Sequence, residues 1–240
     1  MSEKVVGILG GMGPEATVDF FAKVIALTPA KRDQDHLRII INNNPKIPDR
    51  TEAILTKDET LFPMLVKTAK NLERAGVDFI VIPCNTVHYF YEDLVREVSI
   101  PILHMIREVV YAVKASLPRC KRLGLIATTG TITSNLYQKE FLKVGGEVIV
   151  PDPQCQAKVM DAILRIKASH EKDRARKELI KAANLLIERK VQALILGCTE
   201  VTLVIKTRDF PVPVFDSTKI LAEATVKFAR SETISSQWDI

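Results

Sequence analysis

Two short stretches hold the residues with the clearest chemical potential. Pro83-Cys84-Asn85-Thr86 and Gly197-Cys198-Thr199-Glu200 each end an apolar run, Phe79-Ile80-Val81-Ile82 in one case and Ala193-Leu194-Ile195-Leu196 in the other. A valine, Val77 or Val191, precedes each cysteine at the same offset. A thiol normally titrates near ~8.5, and the start of a helix just beyond it favours the nucleophilic or basic thiolate. A lone free cysteine at the end of a buried strand is most often a small hydrophobe. A matched pair instead points to chemistry that uses like groups on opposite sides of one cleft. Cys120 and Cys155 have no such context and receive no role.

His88 lies one helical turn beyond Cys84, which raises a Cys–His nucleophilic pair as an alternative. Cys198 has Thr202 at that offset, so a symmetric mechanism cannot rest on the histidine. Gly11-Met12-Gly13-Pro14-Glu15-Ala16 formally fits a dinucleotide fingerprint, but the next strand ends in Asn42-Asn43 without the acid that binds a ribose. The turn through Met12 is therefore expected to bring main-chain amides to a small ligand. Arg50 closes the polar loop Asn43-Asn44-Pro45-Lys46-Ile47-Pro48-Asp49-Arg50 and is a candidate carboxylate clamp, although such loops more often carry a surface arginine. Lys167 reads on pattern alone as a solvated helix lysine.

The elements that must position these residues come in two copies. Val5-Val6-Gly7-Ile8-Leu9-Gly10 and Arg122-Leu123-Gly124-Leu125-Ile126-Ala127 are short strands entering small-residue turns, and nearly the same span separates each from its cysteine. Ile100-Pro101-Ile102-Leu103 and Val212-Pro213-Val214-Phe215 follow as a further matched pair of strands. Leu61, Leu65, Ala69 and Leu72 mark one face of a helix that Gly76 ends, and Ala175, Leu179, Ala182, Ala183 and Leu186 mark its counterpart. Continuous β-branched runs such as residues 37–41 suit a parallel sheet covered by helices on both faces. The fold class is α/β: two similar pseudo-symmetric domains, each a mostly parallel sheet flanked by helices, with the active site in the cleft between them. The N-terminal domain is expected over 1–104 plus 214–240, with a last helix near residues 219–228, and the C-terminal domain over 105–213.

The chain has 240 residues, 47% hydrophobic and 26% charged, with a net charge of +5. That composition suits a soluble globular protein, and the apolar run at residues 5–9 is too short for a signal peptide or membrane span. A cytoplasmic protein is expected. The four cysteines form no CxxC motif, and basic residues alternate with acids, so neither a zinc ribbon nor a nucleic-acid patch is indicated. No metal, no nucleic acid and no membrane enters the reading.

Taken in order, Gly10-Gly11-Met12-Gly13-Pro14, Pro83-Cys84-Asn85-Thr86, Ala127-Thr128-Thr129-Gly130-Thr131 and Gly197-Cys198-Thr199-Glu200 resemble the cofactor-independent aspartate/glutamate racemase superfamily. Residues 28–34 and 47–50 are similar to archaeal-type aspartate racemases. The resemblance implies a homodimer with no cofactor that acts on a small amino acid, with Cys84 and Cys198 as the acid/base thiols. It also implies that Arg50 and Lys167 meet the substrate's side-chain carboxylate, and that Met12, Asn85, Thr86, Thr129 and Thr199 line the site. A racemase of broader or different specificity, a one-thiol lyase or hydrolase of the same superfamily, and a non-catalytic binding module are the alternatives.

Overall fold

A computed structural model describes residues 3–230. The first half runs β1 (Val6–Gly10), α1 (Pro14–Leu27), β2 (Ile39–Asn43), α2 (Arg50–Thr56), α3 (Leu61–Arg74), β3 (Phe79–Val81), α4 (Tyr91–Leu94) and α5 (Met105–Ser116). The second runs β4 (Arg122–Ala127), α6 (Thr129–Thr133), α7 (Leu136–Lys143), β5 (Glu147–Ile149), α8 (Pro153–Lys167), α9 (Lys172–Glu188), β6 (Ala193–Gly197), α10 (Val201–Val204), β7 (Val214–Asp216) and α11 (Ser217–Arg230).

Each half builds its own parallel sheet, in the orders β2-β1-β3 and β5-β4-β6-β7. Strands β1, β3 and β6 are buried along their whole length, as continuous apolar runs between helical layers require. β2 starts at Ile39 rather than Leu37 and is only half-buried, because it forms the edge of its sheet. The expected strand at residues 100–103 contributes a single parallel bridge between Ile80 and Ile102. Its counterpart β7 pairs fully with β6, Leu194 opposite Val214 and Leu196 opposite Asp216.

The last helix of each half crosses to the other. Ile106, Val109, Val110 and Val113 of α5 share an apolar cluster with Leu123, Leu125, Tyr137 and Ile195 of the second half. Leu221, Ala222, Val226 and Phe228 of α11 share one with Val6, Ile8, Phe20, Phe79 and Val81 of the first. α11 is longer than the expected 219–228 at both ends. The chain returns to the N-terminal half after β7 and not at residue 214, because β7 is hydrogen-bonded into the second sheet. Residues 1–2 and 231–240 of the expected N-terminal domain lie outside the described residues.

The crossing makes α11 a structural requirement of the first half. Leu221 is fully buried there. Leu221→Ala is expected to cost about 2–5 kcal/mol, read as a lower urea midpoint. A loss below about 0.5 kcal/mol, the scale of a surface substitution, would show that α11 does not anchor this core.

Candidate active site

The turn after β1 depends on glycine. Gly11 has φ +95°, and a Cβ there would lie 2.4 Å from the Asn44 carbonyl carbon, so only glycine fits. The turn leaves the buried Met12 with its carbonyl facing Arg50, whose Nη2 donates to it at 3.0 Å. Arg50 Nη1 donates to the Pro48 carbonyl, also at 3.0 Å. Arg50 is thus buried rather than the surface arginine common in such loops, and Nε is its one buried N–H without a partner among the described residues. Asp49 caps α2 by accepting from the Thr51 and Glu52 amides, which fixes where Arg50 begins the helix.

Lys167, the last residue of α8, is not simply solvated. Its Nζ donates to Asp49 Oδ2 at 3.1 Å, joining the two halves. Burial alone would lower the lysine's pKa, but the charges of Glu200 and Asp49 outweigh it and hold it above the usual range. Burial likewise works against the Asp49 carboxylate, yet Lys167 and the helix amides hold its pKa below normal. A second ion pair, Lys172 with Glu15, also spans the halves.

Both cysteines are buried just beyond the carboxyl ends of strands, Cys84 after β3 of the first sheet and Cys198 after β6 of the second. The helical segments expected just beyond them are present but short. Cys84 leads into a 3₁₀ turn over Thr86–Phe90, and Cys198 into the four-residue α10. Accordingly the Cys198 thiol is raised well above its ordinary value, first by burial and then by the charge of Glu200. Its Sγ donates to Glu200 Oε2 at 3.0 Å, and Thr199 Oγ1 donates to the same oxygen at 3.2 Å.

His88 supports the cysteine loop and not the thiol. The Met105 amide donates to Nε2 at 3.0 Å, so the ring proton sits on Nδ1, which donates to the Cys84 carbonyl at 2.8 Å. Burial lowers its pKa to about 4. A Cys84–His88 nucleophilic pair is therefore ruled out in this geometry.

The loops meet through buried polar contacts. Asn85 Nδ2 donates to Ser217 Oγ at 3.1 Å, and Ser217 Oγ donates to the Leu196 carbonyl at 2.7 Å. Tyr137 donates to Asn85 Oδ1 at 2.6 Å. Beside them the hydroxyls of Thr86, Thr128 and Thr131 lie 2.8–3.0 Å from one another. Gly130 lets the halves close here, since a Cβ would lie 2.9 Å from Thr51 Cα and Thr86 Cγ2.

Comparisons with known proteins give the family. A family model described as Asp/Glu/hydantoin racemase matches residues 9–225. The chain belongs to that family. It is 31% identical over 226 residues to a broad-specificity amino-acid racemase of Bacillus subtilis, covering 92% of this chain and 96% of the relative. Among solved structures, the Picrophilus torridus aspartate racemase superposes with a TM-score of 0.84 at 35% identity, covering 94% of each chain. An aspartate racemase homologue from Pyrococcus horikoshii gives a TM-score of 0.76 at 27% identity, covering 95% of this chain and all of the other.

Within this racemase-family fold, a cavity of about 270 Å³ between the halves is lined by Gly11, Gly13, Arg50, Lys167, Glu200 and Asp49, among others. Neither cysteine lines it; Glu200 does, and it also accepts from Cys198. Asn85, Thr86 and Thr199 are buried, and their side chains bond within the protein. Thr129 stands apart, partly exposed, with Oγ1 3.4 Å from Gln156 Nε2. Met12 contributes its carbonyl to Arg50. The sequence reading gave no roles to Asp49, Tyr137, Ser217 or Glu200. Only Glu200, two residues beyond Cys198, carried a local signal.

The neutral histidines predict an acid limb of stability. An unfolded imidazole titrates near 6.5, whereas folded His88 does so at about 4. The unfolded chain therefore takes up the proton first, so stability present above pH 6.5 falls as the pH drops towards 4. His104, lowered by burial and by His88 to about 2, continues the effect. Urea midpoints should decline between pH 6.5 and about 5, where His88 and His104 together outweigh the opposite effect of Glu108, whose carboxyl burial raises to about 7, and His88→Gln should flatten that slope. A flat wild-type profile would contradict the assignment.

Proposed function

We propose that this protein racemises acidic α-amino acids, aspartate foremost, by passing the α-proton between Cys84 and Cys198. The observation that carries the reading is the relay from Asn85 through Ser217 to Leu196, which ties the residue after one cysteine to the strand that delivers the other. The names of the similar proteins, an aspartate racemase and a broad-specificity amino-acid racemase, support the substrate class.

In this reaction one thiolate removes the α-proton while the opposite thiol donates its own proton to the other face of the carbanion. The pair ends with its protonation states exchanged and resets by proton exchange with solvent. Cys198 is the thiol that holds its proton at rest, since burial and the Glu200 charge both oppose its ionisation. Arg50 and Lys167 supply the positive charge for the substrate's carboxylates and oppose the build-up of negative charge during proton removal. Met12 acts by holding Arg50, and Asn85, Thr86 and Thr199 hold the cysteine loops. Because both thiols are buried, the substrate reaches them when the halves part across Asp49–Lys167 and Glu15–Lys172.

Circular dichroism with L-aspartate tests this. Cys84→Ala and Cys198→Ala should each lose racemisation by at least about 10²–10⁴-fold, while Cys120→Ala and Cys155→Ala retain it. Lys167→Met should lower kcat/KM for aspartate by about tenfold or more relative to alanine, the scale of a charge-assisted hydrogen bond worth ~1.5–3 kcal/mol. Arg50→Leu is a less selective test, because it also removes the ties to Met12 and Pro48. Near-normal racemisation by either active-site cysteine variant would refute the two-thiol reading. Equal loss on all substrates by Lys167→Met would remove the preference for acidic side chains.

A further inference from the structure

Glu200 holds a buried polar atom whose use nothing above explains. Its side chain is only 4% exposed, and Oε2 is occupied by the Cys198 thiol and the Thr199 hydroxyl. Oε1 has no hydrogen-bond partner among the described residues. A carboxylate oxygen buried without a partner carries a desolvation cost that a bound donor would remove. That oxygen belongs to a residue of the cavity wall. It would be 3.3 Å from a Cβ on Gly13, and Gly13 and Glu200 both line the cavity. Gly13 is what keeps the approach to Oε1 open.

The same cavity contains an unpartnered buried group of opposite character, Arg50 Nε. A donor on a guanidinium and an acceptor on a carboxylate, both unspent and both on residues that line one small space, match a zwitterion: a carboxylate for the first and an ammonium for the second. Lys167 lies close enough to feel the Glu200 charge, but its Nζ donates to Asp49 and not to Oε1, which stays without a hydrogen-bond partner among the described residues.

Building on the racemase reading above, we infer that Glu200 binds the substrate's α-ammonium group through Oε1 while Oε2 holds the Cys198 thiol. One carboxylate then couples recognition to chemistry. It selects α-amino acids over deaminated acids, and it seats the α-carbon beside the thiol it positions. The position is asymmetric between the halves, since the residue two beyond Cys84 is Thr86, whose hydroxyl is spent in the threonine cluster. Ammonium recognition therefore belongs to the Cys198 side alone.

Calorimetric binding of an amino acid and its deaminated acid, aspartate with succinate, separates this role from a merely structural one. The wild type should bind aspartate at least tenfold more tightly than succinate, a comparison that needs no variant. Glu200→Gln keeps the shape and can still accept from Cys198, but it removes the negative charge. It should weaken aspartate at least tenfold and leave succinate unchanged or tighter, because an anion facing the ligand is lost. In turnover the variant should show a raised KM beyond any change in kcat. Equal binding of aspartate and succinate by the wild type, or equal weakening of both by Glu200→Gln, would overturn the inference. If the enzyme racemises a different amino acid, that amino acid and its own deaminated acid form the test pair. A wild type that exchanges the α-proton of no amino acid would remove the reaction itself, and this inference with it. Binding results alone would then not be mistaken for failure of Glu200.

Discussion

Asn85 is the joint on which the site depends. Its amide oxygen accepts from Tyr137, and its amide nitrogen donates to Ser217, which in turn bonds to the Leu196 carbonyl. All of these groups are buried, so each lost bond would leave a desolvated polar atom unpaired. Burial also pushes the Tyr137 phenol pKa upward, which keeps it protonated as a donor. Few arrangements of the two halves can satisfy every one of these groups at once. The arrangement that does brings the loop of Cys84 against the strand that ends at Cys198. The helix exchange reinforces it, because α5 and α11 each place apolar side chains in the core of the opposite half.

Within that frame the two halves differ in charge beside their cysteines. Thr86 and Glu200 occupy the same place after their cysteines. Thr86 joins a neutral cluster of three hydroxyls across the interface, whereas Glu200 brings a carboxylate to Cys198 and raises its thiol. A perfectly symmetric site would have no preferred protonation state. In the proposed reaction this difference adds to burial in keeping the proton on Cys198 at rest, and Lys167, which lines the same cavity, offsets the added negative charge.

Much of this was legible in the sequence where the signal was periodic or repeated. Fully buried strands such as β1 and β6 appear as unbroken apolar runs, and the stripe through Leu61, Leu65, Ala69 and Leu72 returned as α3. The repeated apolar runs into Pro83-Cys84 and Gly197-Cys198 are strands β3 and β6, with each cysteine in the segment that follows. What escaped depends on partners distant in the chain. Lys167 looks like any helix lysine until Asp49 meets it from the other half, and Arg50 looks like a surface residue until the carbonyls of Met12 and Pro48 enclose it. Tyr137 sits in an ordinary amphipathic helix, with no local cue that its hydroxyl reaches Asn85. The helix effect expected to favour the thiolate does not appear at Cys198, where burial and then Glu200 raise the thiol and the helix that follows has only four residues.

The central claim is that the two thiols serve opposite faces of one substrate carbon. Proton NMR of the α-hydrogen in deuterated buffer tests it most directly, with Cys84→Ala and Cys198→Ala each given the separate enantiomers of the substrate. Each variant should wash deuterium into one enantiomer only, and the two variants should choose opposite enantiomers, because each retains the base for one face. Exchange of the same enantiomer by both variants, or of both enantiomers by either one, would contradict the account.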